Sequence, residues 1–200
     1  NRSRTYVNKI LNKISGEVFK NYQVSKIVRS ENNARVSIGN EYIDYDHVVL
    51  ASHADQSLKM LEDPTEEEKE ILTKFSYVSN SAYLHIDKNL MPQRKSAWSS
   101  WNSITKENKT CVTYWLNKLQ NLKTEKNYFL TLNPVEKINE ENIIKKVNFT
   151  HPYFNNENVT LQKDLHSLQG KKRTWFCGSY FGYGFHEDGL KSSLKLLEKF

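Results

Sequence analysis

Two short apolar runs, one in the first half of this 200-residue chain and one near its C-terminus, constrain its fold more than any other feature. They are Val48-Val49-Leu50-Ala51 and Thr174-Trp175-Phe176-Cys177. Strands that are apolar without alternation are typical of sheets that are buried on both faces, as in α/β proteins. We therefore predict that 42–51 and 174–177 lie in one layer, together with the earlier strands 18–27 and 34–38.

The middle of the chain has a different pattern, rich in Tyr, Trp, Phe and Thr. It predicts antiparallel strands at 77–86, 96–104, 110–116 and 128–132, and a further strand at 143–150. The break at Asp63-Pro64 separates this part from the first strands. These aromatic strands should therefore form a separate sheet.

Helical signals flank both groups of strands. The predicted helices are 7–14, 55–61, 65–75, 159–168 and 190–200. Thr65 and Glu68 have the spacing of a capping box, which marks the start of the third helix. Leucines at 190, 194 and 197 give the last helix one apolar face.

The composition excludes several classes of protein. The chain is 38% hydrophobic and contains no apolar run long enough to cross a bilayer. Its net charge is +6, but Lys is interleaved with Glu and Asn and the longest basic run is Lys171-Lys172-Arg173, so we expect no nucleic-acid partner. Cys111 and Cys177 have no metal-ligand spacing. We therefore predict no metal site and a reducing, cytoplasmic location.

The segment from Gly178 to Gly189 carries the strongest chemical signal. A strand, a glycine-containing turn and a helix N-terminus together expose backbone N–H groups that can bind an anion or a cofactor. A turn that only lets the last helix pack closely gives the same pattern, and both interpretations stay open. The dinucleotide fingerprint G-x-G-x-x-G is absent, because Glu187 stands at its sixth position after Gly182 and Gly184.

The order of these pieces resembles the C-terminal half of FAD-dependent oxidoreductases of the amine oxidase superfamily. The resemblance rests on Ser3–Val7, Val24–Ile27, Asp46–Ala51, Trp175–Gly178 and Glu187–Gly189. Further phrases resemble a bacterial subgroup of NAD/FAD-binding oxidoreductases encoded beside cyclopropane-fatty-acid synthases. These phrases are Ala51–Gln56, Leu90–Pro92, Ala97–Asn102, Val112–Gln120, Thr131–Pro134 and Gly182–Leu190. Asn1-Arg2 stands where the superfamily pattern has glycines.

This resemblance implies an α+β fragment of an α/β flavoprotein. Residues 1–61 would be the second portion of an FAD-binding domain, and 62–160 a substrate domain with an antiparallel or mixed β-sheet and helices. Residues 161–200 would supply the C-terminal strand and helix of the FAD-binding domain. The N-terminal dinucleotide-binding segment of the parent chain is then a missing partner, and the fragment alone should be inactive and bind FAD weakly.

The resemblance also implies the FAD contacts. Val24 would offer its backbone to the adenine, although it is equally an ordinary core position. Ala51 and Ser52 would emerge beside the cofactor, and His53 would contact it or cap the following helix. The remaining implied contacts are Gly178, Ser179, Gly184, Phe185, His186, Glu187, Asp188 and Gly189. Gly178 and Gly189 should lie where the backbone approaches flavin or a neighbouring segment closely, while the side chains of Glu187 and Asp188 also suit a helix N-terminus as charges.

Candidates for the substrate pocket are Trp98, Trp101, Tyr114, Trp115 and His151, each of which also suits a structural role. No catalytic acid or base is assigned. The implied activity is hydride transfer from a fatty-acyl or other lipid-linked substrate to FAD. The alternatives are a flavoenzyme of the same fold that acts on an amine, a polyene or a porphyrinogen, and a non-catalytic β-rich binding module with a basic surface.

Overall fold

The computed structural model describes residues 3–200, which form two compact units. The first unit combines the chain up to Phe75 with Phe154–Phe200, and the second is Ser76–Tyr153. Residues 62–75 and 154–160, assigned to the substrate domain on sequence, group with the first unit. The interpretation of Asn1-Arg2 lies outside the described residues.

The chain forms ten strands and six α-helices within residues 3–200. The first unit begins with α1 (Ser3–Leu11), β1 (Val24–Arg29), β2 (Ala34–Ile38), β3 (Glu41–Tyr45), β4 (Val48–Leu50), α2 (Ala54–Met60) and α3 (Glu66–Leu72). The second unit contains β5 (Tyr77–His85), β6 (Trp101–Lys106), β7 (Lys109–Trp115), α4 (Leu116–Leu119), β8 (Phe129–Leu132) and β9 (Ile143–Pro152). The first unit is completed by α5 (Asn156–Leu161), β10 (Thr174–Phe176) and α6 (His186–Leu197).

The strands of the first unit form two sheets. β1, β2 and β3 make an antiparallel sheet in that order, while β4 pairs in parallel with β10, Val48 opposite Thr174. The predicted neighbourhood of 48–51 and 174–177 is confirmed. The prediction of a single layer is wrong, because the chain leaves the hairpin sheet at Asp46-His47. There the Arg173 guanidinium donates to the Asp46 carbonyl at 3.2 Å, and the Trp175 indole N–H donates to His47 Nδ1 at 3.3 Å.

The helices of the first unit differ from the sequence prediction in their bounds and in their orientation. The capping box of α3 is present, with both Thr65–Glu68 hydrogen bonds formed. The predicted helix 159–168 is split into α5 and a 3₁₀ turn at Asp164–Ser167. In α6, Ser192 and Leu196 are buried, whereas Leu190, Leu194 and Leu197 are 56%, 52% and 66% exposed. The predicted leucine face of α6 is therefore open within the described chain.

The second unit is built on one antiparallel sheet in the order β6-β7-β8-β5-β9. The prediction that the aromatic strands form their own sheet is confirmed. The strand predicted at 96–104 begins only at Trp101, because Lys95–Ala97 forms a 3₁₀ turn and the Trp98 indole N–H donates to the Pro92 carbonyl at 2.7 Å.

Strand register divides the side chains of this sheet between two faces, since directly opposite residues point the same way. The packed face carries His85, Thr113, Phe129 and Thr131, all of which are buried. The open face carries Ala82, Val112, Tyr114, Leu130 and Leu132 with their neighbours in register. Of the five named residues, Ala82 is buried and the other four are half-buried.

A buried ion pair joins elements that are far apart in the sequence of the first unit. The Arg29 guanidinium donates to both carboxylate oxygens of Glu68, at 2.5 and 2.9 Å, and the two side chains are almost fully buried. It also donates to Asp63 Oδ1 at 3.1 Å and to the Thr174 hydroxyl at 3.3 Å. Burial acts to raise the pKa of Glu68, but Arg29 and the Thr65 amide outweigh it, so that the pKa lies below its ordinary value of 4.5.

Glu68→Gln should destabilise the chain by about 3 kcal/mol, because it leaves the buried Arg29 charge with less compensation while Gln keeps the capping box. A carboxyl whose pKa is depressed by folding stabilises above its unfolded pKa, and this contribution is lost as pH falls through the folded value. Urea unfolding from pH 7 to pH 3 measures both effects, and Glu68→Gln should lose part of the acid dependence. Arg29→Met with Glu68→Leu is the matched apolar control and should recover most of the stability. Equal stability of Glu68→Gln and wild type would contradict the role of the ion pair.

Candidate cofactor site

The candidate site begins where the parallel strands β4 and β10 end. The Cys177 amide donates to the Leu50 carbonyl at 3.1 Å, so Ala51-Ser52 and Gly178-Ser179 leave the sheet side by side. The carboxyl ends of parallel strands are the usual place for ligands in α/β sheets. The structure thus brings four of the predicted residues together. Val24 is placed elsewhere, at the start of β1 opposite Ile38 in the hairpin sheet.

The loop from Gly178 to Gly189 is held by α6 itself. The Gly178 amide donates to the Ser192 hydroxyl at 2.9 Å, and this hydroxyl donates to the Gly189 carbonyl at 2.7 Å. Asp188 Oδ2 accepts from the amides of Tyr183 and Phe185 at 3.0 and 2.9 Å. The Asp188 carboxylate therefore orders the loop, which is the structural role that the sequence left open. Ser192 was missed by sequence reasoning, because a lone helical serine carries no signal.

The N-terminus of α6 supplies backbone donors at this site. The amides of Asp188 and Gly189 return to the Phe185 carbonyl, whereas those of His186 and Glu187 are the first two of the helix. Such amides point beyond the helix end, where its dipole also favours negative charge. Tyr6 of α1 reaches the same end, with its hydroxyl 2.8 Å from His186 Nδ1. This donor set suits a carbonyl or anionic oxygen, as the flavin pyrimidine ring presents.

Three glycines of the loop have different reasons to be glycine. A Cβ on Gly178, whose φ is 153°, would lie 2.8 Å from the Tyr180 ring, so the close approach predicted there is made by a neighbouring side chain. A Cβ on Gly182 would clash with the Asp188 carboxylate. At Gly189 the nearest atom would be 3.8 Å away, an ordinary contact. Close packing within the chain therefore accounts for Gly178 but not for Gly189, whose approach to a ligand stays a prediction.

Ser52 and His53 lead into α2. The hydroxyls of Ser52 and Ser57 lie 2.8 Å apart. His53 is the N-cap residue, but its side chain makes no capping hydrogen bond, so the predicted capping role is wrong.

The substrate-pocket candidates of the second unit fall on different sides of the sheet. Trp98 and Trp115 contact each other edge to face at 5.3 Å, and Trp98 packs on Phe129 of the packed face. Trp101 and Tyr114 pair at 5.3 Å on the open face, and His151 lies on that face opposite Val78. Only these last three are therefore placed to meet a ligand at the open face.

Sequence reasoning also missed a buried polar chain in the packed face. His85 Nε2 lies 2.7 Å from the Thr131 hydroxyl, which lies 2.8 Å from that of Thr113. Burial lowers the pKa of His85 against the opposing charge of Asp87, so the imidazole is neutral at pH 7. Burial likewise raises the pKa of the Cys177 thiol. Both groups are part of the core rather than of the candidate site.

A concave surface of the first unit has a volume of about 790 Å³ and is lined by residues of α3 and α5 such as Ile71, Glu157 and Thr160. It shares no residue with the candidate site. Within residues 3–200 there is no group of three His, Cys, Asp or Glu that is able to hold a metal ion. No helix of the described chain is long and apolar enough to cross a membrane.

The comparisons with known proteins identify the fold. No family model matches the sequence, and no curated protein does. Solved structures do match, among them a fatty acid isomerase from P. acnes that produces CLA, with 13% identity and a TM-score of 0.70. A putative protoporphyrinogen oxidase from Exiguobacterium sp. 255-15 matches with 11% identity and 0.71. A putrescine oxidase triple mutant, redesigned in cofactor binding, matches with 10% identity and 0.68.

These alignments cover 98–99% of this chain and 50–52% of the other three. The chain therefore spans about half the length of the structures that it matches. At these identities the likeness establishes the fold alone. The predicted fold class, an α+β chain with the architecture of part of an α/β flavoprotein, is confirmed.

Gly182→Ala should destabilise the chain by about 1–3 kcal/mol, because the methyl group displaces the Asp188 carboxylate from the amides that it accepts. Gly189→Ala is the matched control. It should stabilise α6 by about 0.5–1 kcal/mol, since Gly costs that much in a helix and the added methyl has room. Thermal and urea unfolding of both variants measure the difference. The reverse order of stabilities would contradict the packing of Gly182 against Asp188.

Proposed function

We propose that this chain is the C-terminal half of an FAD-dependent oxidoreductase of the amine oxidase type, which transfers hydride from its substrate to the flavin. The observation that supports this most is one juxtaposition. The ends of the parallel strands β4 and β10 and the first amides of α6 lie in one loop cluster, within a fold that covers half of the isomerase and oxidase chains above.

Bound FAD would supply the acceptor for hydride, and the chain would orient it and balance its charge. The amides of His186 and Glu187 would donate to the pyrimidine carbonyl and stabilise the negative charge that develops there. Ala51, Ser52, Ser179, Gly184 and Phe185 would line the same edge, and Val24 would contact the adenine. Asp188 and Gly189 would hold the loop, and Gly178 would do so through its packing on Tyr180.

The missing partner in this proposal is the N-terminal dinucleotide-binding segment. Three features of the first unit support the proposal that this segment packs against it. The leucine face of α6 is open, no residue of α1 is buried, and Val49 of the two-stranded parallel sheet is 47% exposed. Parallel sheets are normally larger and covered by helices on both faces. A cytoplasmic location stays a prediction.

For the substrate we propose a fatty-acyl or other lipid-linked molecule. This rests on the resemblance to the subgroup encoded beside cyclopropane-fatty-acid synthases, and the matching structure of a fatty acid isomerase supports it. The alternatives are an amine or a porphyrinogen, as the other two matching structures suggest, or a polyene. A non-catalytic β-rich binding module with a basic surface is the alternative from another class. Absence of a G-x-G-x-x-G segment upstream in the gene would favour the module.

The chain of 200 residues should bind FAD weakly, whereas a longer protein that includes the dinucleotide-binding segment should purify with flavin. In that longer protein, His186→Pro should lower the flavin content because it removes one N–H donor. Proline suits the first helical position, and Phe185 before it already has the extended conformation that proline requires, with ψ 160°. His186→Ala is the matched control, since it also removes the Tyr6 contact but keeps the amide.

Flavin absorbance per mole of protein measures these outcomes, with the melting temperature of each apoprotein beside it. A tight, stoichiometric FAD complex of the 200-residue chain would refute the division of labour between the two halves. Equal flavin content in His186→Pro and His186→Ala would show that the α6 amide does not contact the flavin.

A further inference from the structure

The open face of the sheet in the second unit has an unusual composition for a surface. It is formed mainly by apolar and aromatic residues, such as Leu84, Val112, Tyr114 and Phe149. Among the strand positions that the structure describes on this face, none is Asp or Glu. The two groups able to attract a negative charge, Lys145 and His151, both lie on the edge strand β9.

One polar network on this face determines where its protons lie. It begins at the Ser81 backbone amide, which can only donate, and which lies 2.9 Å from Asn133 Oδ1. Asn133 therefore presents its Nδ2 to Asn80 Oδ1, at 2.8 Å. Asn133 has a positive φ of 48°, a conformation that Asn tolerates better than most residues, and its own amide donates to the Ser81 carbonyl at 2.9 Å. Asn133 of the Thr131–Pro134 segment therefore has a structural role, since it connects β8 to β5 through these hydrogen bonds.

The network continues to His151. With Asn80 Oδ1 occupied, Asn80 Nδ2 donates to the Val78 carbonyl at 2.9 Å and lies 3.0 Å from His151 Nδ1. An amide nitrogen cannot accept, so Nδ1 is the acceptor and the proton of the neutral ring is on Nε2. Phe149 packs against the ring at 4.7 Å, edge to face. His151 is exposed as a residue, and its Nε2 is therefore a hydrogen-bond donor on a side chain that packs against Phe149.

We propose that the open face binds an acyl ligand whose carboxylate or carbonyl oxygen accepts the Nε2–H of His151. Asn80 and Asn133 are positioning residues that hold this tautomer. The apolar strands take the acyl chain, and the absence of acidic side chains among the described positions of this face favours an anionic head group over a cationic one. This inference rests on the proposed function in treating the open face as the substrate side, and it narrows the substrate to an acyl compound.

The test uses the 200-residue chain, laurate as the probe and dodecylamine as the probe of equal chain length with a cationic head. Two-bond ¹H–¹⁵N correlation spectra at pH 8 should show His151 with a protonated Nε2 and an acceptor Nδ1. Laurate titration should shift the Nε2 signal. His151→Phe should weaken laurate binding roughly tenfold, the effect of one charge-assisted hydrogen bond, and leave dodecylamine binding unchanged.

Asn80→Leu is the second variant, and it leaves His151 in place. It should give a mixture of tautomers in the same spectra and weaken laurate binding in proportion. The proposal is overturned by a protonated Nδ1 in the wild type, by failure of laurate to bind, or by equal laurate affinity in wild type and His151→Phe. None of these measurements involves flavin, so they fail independently of the flavin content of the longer protein.

Discussion

The first unit depends on the pairing of one buried guanidinium. Arg29 has lost its water, and a buried charge must find its partners in the protein. It finds them in Glu68, Asp63 and Thr174, which come from α3, from the segment before it and from β10. The hairpin sheet, the α2–α3 region and the C-terminal strand are thus tied at one point. Removing one partner leaves the other charge buried without compensation, which costs more than the intact pair contributes.

This tie also fixes where the candidate cofactor site begins. Thr174 starts β10, and β10 runs in register beside β4, so both strands end at the same level. From that level Ala51-Ser52 and Gly178-Ser179 leave the sheet, and α6 then returns to it through Ser192. The position of the candidate site therefore follows from the packing of Thr174 on Arg29 and from the register of β10 beside β4. Within the loop, Asp188 accepts hydrogen bonds from the amides of Tyr183 and Phe185.

The sequence was informative where a signal is local. The capping box of α3 and the two apolar runs of β4 and β10 need only neighbouring residues to be recognised. The capping box and the pairing of the two runs are confirmed, whereas burial of β4 on both faces is not, because Val49 is 47% exposed. The prediction of a single layer was wrong because the strands that pair in a sheet depend on contacts with distant residues. Here Arg173 and Trp175, far along the chain, hydrogen-bond to the Asp46-His47 link between β3 and β4. The α6 leucines lie on one face of the helix as predicted, but an amphipathic pattern does not show which part of the protein packs against that face. A side chain would collide with Tyr180 at Gly178 but would have room at Gly189, and only the surrounding atoms show this difference.

In the second unit, strand register places similar side chains on opposite faces of the sheet. Trp115 and Tyr114 are adjacent in β7 and therefore point to opposite faces, the one into the packed face and the other onto the open face. The same parity separates two histidines. His85 is buried in a chain of threonine hydroxyls, where desolvation lowers its pKa below the ordinary value and favours the neutral ring. His151 is exposed on the edge strand, and the Asn80 and Asn133 amides, oriented from the Ser81 N–H, place its ring proton on Nε2. Register therefore leaves His151 on the open face and places His85 with the buried threonines on the packed face.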